Sequence, residues 1–117
     1  MPKATKTTEG GKVLFWCPGC DEAHGVNTDP GQGGRPCWGW NNSLAAPTFT
    51  PSVLVRSVRP IQGGKPVRDN KYEGPYPPPE GSFAFVCHSF VTDGRIQFLC
   101  DSSHDLAGQT VDLPDWE

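Results

Sequence analysis

Phe83-Ala84-Phe85-Val86-Cys87-His88-Ser89-Phe90-Val91, Thr92-Asp93-Gly94-Arg95, then Ile96-Gln97-Phe98-Leu99-Cys100: two apolar, aromatic-rich runs flank an Asp-Gly pair. Asp-Gly between such runs is a strong hairpin signal, because both central residues of the tight turn need positive φ. A two-residue turn at Asp93-Gly94 sets the register, with Thr92 facing Arg95, Val91 facing Ile96 and Cys87 facing Cys100. Cys87 and Cys100 then fall at a non-hydrogen-bonded pair, where side chains approach most closely. Cys87-His88, Cys100 and His104 therefore gather at one end of the hairpin. A second pair of metal-suited residues, in Cys17-Pro18-Gly19-Cys20, lies near the N-terminus.

Working outward, the chain reads as a mainly β, loop-rich domain of antiparallel sheet with little helix, stapled by zinc. Gly (14) and Pro (13) are abundant among 117 residues, and hydrophobic residues make up 35%. A core this thin needs disulfides or a metal. Twelve aromatic residues (Trp 4, Tyr 2, Phe 6) argue against disorder. Residues 1–11 read as a flexible polar tail, and residues 12–117 as one domain. Lys12 to Trp16 reads as a buried strand running into the Cys17–Cys20 turn, and Val53 to Val58 as a second strand. Residues 60–81, with Gly63-Gly64 and Pro77-Pro78-Pro79, form a loop or an arm that orders against a partner. Asp101–Gly108 reads as a capped turn or single helical turn, and Thr110–Leu113 as a last strand.

A strand followed by Cys-Pro-Gly-Cys is the build of a zinc knuckle, in which a tight turn aims two thiolates at one ion. No helix-opening βαβ pattern supports a redox role for the pair. Four ligands are expected: Cys17, Cys20, Cys87 and His104, with His88 and Cys100 as alternates. Cys87 and His88 are neighbours on a strand, so they point to opposite faces and one of them reaches the ion. His24 serves as a ligand, a hydrogen-bonding support or a plain surface residue. Iron–sulfur binding would draw on Cys17, Cys20, Cys87 and Cys100. A Cys87–Cys100 disulfide is the competing use of that pair. Cys37 reads as a buried free thiol, and Trp38 and Trp40 as packing aromatics or a stacking pair.

Taken in order, Phe15–Cys20 with His24, Trp38-Gly39-Trp40-Asn41, Pro47–Ser52, Cys87–Val91 with Gly94-Arg95-Ile96, and Ser103–Val111 resemble a family of small phage and prophage proteins. Its members often carry the label ammonia monooxygenase. That label fits membrane-embedded copper enzymes, and no apolar run here approaches a membrane span. The resemblance implies a phage origin and a Cys/His set at Cys17, Cys20, His24, Cys87, His88 and His104. The chain departs from the family pattern at Ser102, where members carry a cysteine.

From these readings the expected function is non-enzymatic: a phage accessory protein with a structural Zn2+, for virion assembly, decoration or antagonism of host defence. Its partner would be a phage structural protein or a host factor, or a second copy, with no membrane, in the host cytoplasm or the virion. A zinc hydrolase is the first alternative. It requires an open ligand position and a base such as Asp101, Asp105 or Glu22. Single-stranded nucleic-acid binding through Trp38 and Trp40 is the second, and the net charge of −3 opposes it. No catalytic residues are expected.

Overall fold

In the computed structural model, which describes residues 2–7, 11–29, 37–67 and 71–116, the chain is built from antiparallel strands, with no helix among those residues. A three-stranded sheet has the order β1 (Ala4–Lys6), β2 (Lys12–Cys17), β3 (Glu22–Asn27). A larger sheet runs β4 (Gly39–Trp40), β5 (Phe49–Gln62), β7 (Ser82–Thr92), β8 (Arg95–Phe98), β9 (Thr110–Asp112), and β6 (Lys65–Pro66) pairs with the end of β5.

The Asp93-Gly94 turn forms as its residues demand, with φ of 51° at Asp93 and 77° at Gly94. Thr92 pairs with Arg95 and Val91 with Ile96. Alternation then sorts the two faces. Phe85, Cys87, Ser89 and Val91 of β7 and Ile96 and Phe98 of β8 point inward and are buried; Phe90, Arg95 and Gln97 point outward. The same period places Val13, Phe15 and Cys17 of β2 inside. Phe15 of the small sheet stacks on Phe49 of the large one, with ring centroids 5.7 Å apart, so the two inner faces share one core. Three cysteines, Cys17, Cys20 and Cys87, belong to that core, which holds thiols where a larger domain would hold aliphatic side chains.

Four outcomes of the sequence reading bear on the site. Ala4–Lys6, read as part of a polar tail, forms β1, and the Lys3 and Ala4 N–H groups both donate to the Leu44 carbonyl, at 2.9 and 3.1 Å. Glu22–Asn27 is a strand, although Asp21–Gly25 carries little β propensity; Asp21 at φ 55° turns the chain back so that β3 pairs along β2. Asp101–Gly108, expected as a capped turn or a single helical turn, is a succession of turns.

The fourth concerns the end of the central hairpin. β8 pairing stops at Ser89–Phe98, so Cys87 does not face Cys100. Ser102 and Ser103 take over the β7 edge instead. Ser102 Oγ accepts from the His88 N–H and donates to the His88 carbonyl, each at 3.1 Å, and Ser103 Oγ accepts from the Val86 N–H at 2.9 Å. Cys100 is left exposed while Cys87 is buried, and both thiols are free, as is Cys37, which is exposed rather than buried. Part of the expected 60–81 arm lies outside the described residues; within it, Pro60–Gln62 continues β5, Gly63-Gly64 turns the chain, and β6 pairs back.

Candidate active site and metal centre

β7 presents Cys87 to the inside and His88 to the outside, and each side chain sits in a polar constellation. Inside, Cys87 Sγ lies 3.8 Å from Cys17 Sγ, and the Cys20 N–H points at Cys17 Sγ at 3.4 Å. The β2–β3 hairpin sets Phe15 opposite His24, which brings the imidazole to the same inner face. One donor atom from each of Cys17, Cys20, His24 and Cys87 lies within 4.8 Å of the others, and all four residues are buried. His24 Nε2 has no hydrogen-bond partner. Three sulfurs and an imidazole with an orphaned nitrogen fit a tetrahedral cation.

Electrostatics agree with that fit. Hydrogen bonds from the Cys20 and then the Cys87 thiol drive the Cys17 thiol far below its ordinary range, so negative charge concentrates there. The same hydrogen bond pushes Cys20 up to about 12, and hydrogen bonding to Cys17 and Cys20 pushes Cys87 higher still. A bound cation would take the place of the protons that those two thiols retain. Arg59, buried against the Phe85 ring, holds the knuckle from outside: its Nη2 donates to the Cys20 carbonyl at 3.0 Å and to Glu22 Oε1 at 3.1 Å.

The fourth member of this group is His24, where the sequence pointed to His104. His104 is close by, its ring 4.4 Å from that of Phe98, and burial lowers its pKa. Its Nδ1 accepts from the Leu106 N–H at 3.3 Å, while its Nε2, like that of His24, is buried without a hydrogen-bond partner. What separates the two imidazoles is that only the His24 donor falls in the group with the three thiols. The ring also lies directly over Gly19. A Cβ added there would fall 2.3 to 2.5 Å from three ring atoms. Gly19→Ala is accordingly expected to displace His104 and destabilise the fold by about 1–3 kcal/mol, read from denaturant unfolding. The alternates also lie elsewhere, Cys100 in solvent and His88 on the outer face.

On that outer face, His88 Nε2 lies 3.0 Å from Ser52 Oγ and His88 Nδ1 lies 3.1 Å from Asp101 Oδ2. Ser52 is brought there by an irregularity in β5. Phe49 pairs with Val91 and Val53 with Ser89, four steps on one strand against two on the other. Bulges of this kind re-aim a side chain next to active sites. Leu54 pairs with His88, so Ser52, two residues earlier on the same face, is its diagonal neighbour. The Trp38 indole N–H donates to the Ser52 carbonyl at 3.1 Å and holds the bulge. Asp101 owes its place to the Ser102–Ser103 substitution for β8, which turns the chain out of the sheet beside His88. The Asp101 side chain is 60% exposed and that of His88 24%.

Hydroxyl, imidazole and carboxylate in series form the hydrogen-bonded relay of a serine hydrolase, which is recognised by geometry rather than by order along the chain. The model of a family described as "Bacterial ubiquitination-like system serine protease (BubE)" matches residues 2–99. The chain belongs to the BubE family. The match spans Ser52, His88 and the whole Cys/His group, and ends two residues before Asp101. No match is found among curated proteins, and none among solved structures.

Membership of the BubE family corrects two sequence expectations. The resemblance to the phage and prophage proteins does not hold as the family assignment, and a phage origin has no support in the match. The non-enzymatic accessory role gives way to a protease-type function. Sequence reasoning weighed His88 as a ligand and Asp101 as the base of a zinc hydrolase, and passed over Ser52. No local motif marks Ser52, which lies in Thr50-Pro51-Ser52-Val53 without flanking glycines. The available signal was strand alternation: once Cys87 faces the metal group, His88 must face the other way.

Proposed function

We propose that this chain is a serine protease with Ser52 as nucleophile, His88 as general base and acid, and Asp101 as the group that orients His88. The observation carrying this reading is the continuous relay from Ser52 Oγ through both His88 nitrogens to Asp101. In the first step Ser52 Oγ attacks the scissile carbonyl carbon and its proton passes to His88 Nε2. His88 then donates that proton to the leaving amine as the C–N bond breaks, which leaves an acyl ester on Ser52. Water, deprotonated by His88 Nε2, attacks the ester; the C–O bond to Ser52 breaks, and the proton returns to Ser52. Throughout, the His88 Nδ1–H donates to Asp101, which fixes the tautomer and stabilises the transient imidazolium. In this reading the substrate is a protein of a bacterial ubiquitination-like system, the setting that the family's description names.

In the same reading, Cys17, Cys20, His24 and Cys87 hold a structural Zn2+. The ion supplies cross-linking of the two sheets, and the four donors leave no ligand position for a substrate.

Incubation with a fluorophosphonate probe tests the assignment. The probe is expected to attach to Ser52, mapped by mass spectrometry, and attachment elsewhere or nowhere would refute it. Asp101→Asn is expected to lower kcat by roughly 10²–10³-fold, less than the ~10⁴-fold seen when a buried triad aspartate is replaced, because water already solvates this carboxylate. Steady-state kinetics on any cleaved peptide measure the drop.

A further inference from the structure

We infer that the acyl side of the substrate binds as an added antiparallel strand on the free edge of β5, from Leu54 to Val58. The inference rests on the protease reading and specifies how the substrate is held.

Hydrogen-bond parity identifies this edge. Thr92–Arg95 is the closing pair of a two-residue turn, so Phe90 and His88 direct their backbone groups to β8, as the 2.8 Å bond from the Leu99 N–H to the His88 carbonyl shows. Ser89, Cys87, Phe85 and Phe83 then address β5, and their partners Val53, Val55, Ser57 and Arg59 address β7. Leu54, Arg56 and Val58 are left with N–H and C=O groups directed to the opposite edge. Among the described residues, β4 covers that edge only at Phe49 and Thr50 and β6 only at Ile61 and Gln62, and no strand pairs with the stretch between. The gap is about five residues long, roughly 16 Å at ~3.3 Å per residue.

Its ends suit a substrate. At one end the Trp38 indole occupies the Ser52 carbonyl, so an incoming strand stops beside the nucleophile. At the other a cleft of about 290 Å³, lined in part by Val58, Pro60, Tyr72 and Tyr76, receives the remote residues. A peptide whose scissile carbonyl reaches Ser52 can run along Leu54–Val58 with either its acyl or its leaving half. The acyl half would run antiparallel to β5 and the leaving half parallel, and antiparallel pairing is the stronger. His88 approaches Ser52 from β7, on the side away from this edge, so base and substrate do not compete for space. Main-chain hydrogen bonds supply affinity in such additions, and side chains the selectivity; here Leu54 and Val58, both exposed, flank the path.

The test compares two diphenyl phosphonates, in which Ser52 Oγ bonds to phosphorus, phenoxide leaves and His88 takes the proton. One carries acetyl-Ala-Ala-Ala-Ala, the other a single acetylated alanine residue. The tetrapeptide reagent is expected to label Ser52 at least ten-fold faster, an advantage that Arg56→Ala keeps and Arg56→Pro removes. Equal rates for the two reagents on the wild-type protein, or a full advantage in a folded Arg56→Pro variant, would overturn the inference. A second arm needs no variant. Methylating successive amide nitrogens of the tetrapeptide should abolish the advantage at one parity and spare it at the other, and an effect without that alternation would overturn it. Failure of both reagents to reach Ser52 would instead bring down the protease reading itself.

Discussion

Ser52→Ala is expected to abolish peptide hydrolysis, with kcat falling by roughly 10⁴–10⁶-fold, while the thermal unfolding midpoint stays within a few degrees of wild type. The size of the effect follows from the chemistry. Without Oγ there is no acyl-enzyme, and what remains is the modest catalysis that binding alone provides. The neutral effect on stability follows from the position. Ser52 is partly exposed on the outer face, and its hydroxyl pairs with an imidazole that is itself about a quarter exposed rather than with a core group. Active-site titration and a melting curve on the same preparation separate the two. A variant that is folded and still cleaves would place the nucleophile elsewhere.

Removal of the proposed zinc should be as drastic and differ in kind. Binding of a structural zinc is worth about 10–16 kcal/mol in small zinc domains, against the 5–15 kcal/mol that hold a typical domain together. A strong chelator is therefore expected to eliminate cooperative unfolding, not merely to lower its midpoint, and Cys87→Ser to do the same without chelator. Hydrolysis should disappear in parallel with the fold. Loss of hydrolysis with the tertiary circular dichroism signal intact would instead assign the metal a direct part in the reaction. Elemental analysis before and after chelation, with a count of reactive thiols, identifies the ion and its sulfur ligands.

The hairpin around Asp93-Gly94 was legible because its turn chemistry and its alternating pattern point the same way, and the three cysteines of the metal group followed from Cys-Pro-Gly-Cys and from the pleat. His24 was not distinguishable from His104 in sequence. The choice between them turns on which ring folds in among the thiols, the His24 donor atom lying within 4.8 Å of those of Cys17, Cys20 and Cys87, which no spacing encodes. The triad was hidden for a different reason. Two members of the proposed triad depend on a departure from regular pairing: Ser52 on the bulge between Phe49 and Val53, Asp101 on the serine hydroxyls that replace β8. Periodicity describes regular strands, and these placements arise where regularity ends. His88 alone sits in regular strand, and there its neighbour Cys87 drew the interpretation toward metal.

That neighbour relation constrains the lineage as well as the molecule. Because consecutive residues of a strand look in opposite directions, a one-residue insertion or deletion near the middle of β7 would send the sulfur outward and the imidazole inward together. Scaffold and chemistry cannot drift apart through small shifts in this segment. On the proposed reading, a substitution at Ser52 leaves Cys87 facing the other thiols, provided the length of β7 is kept.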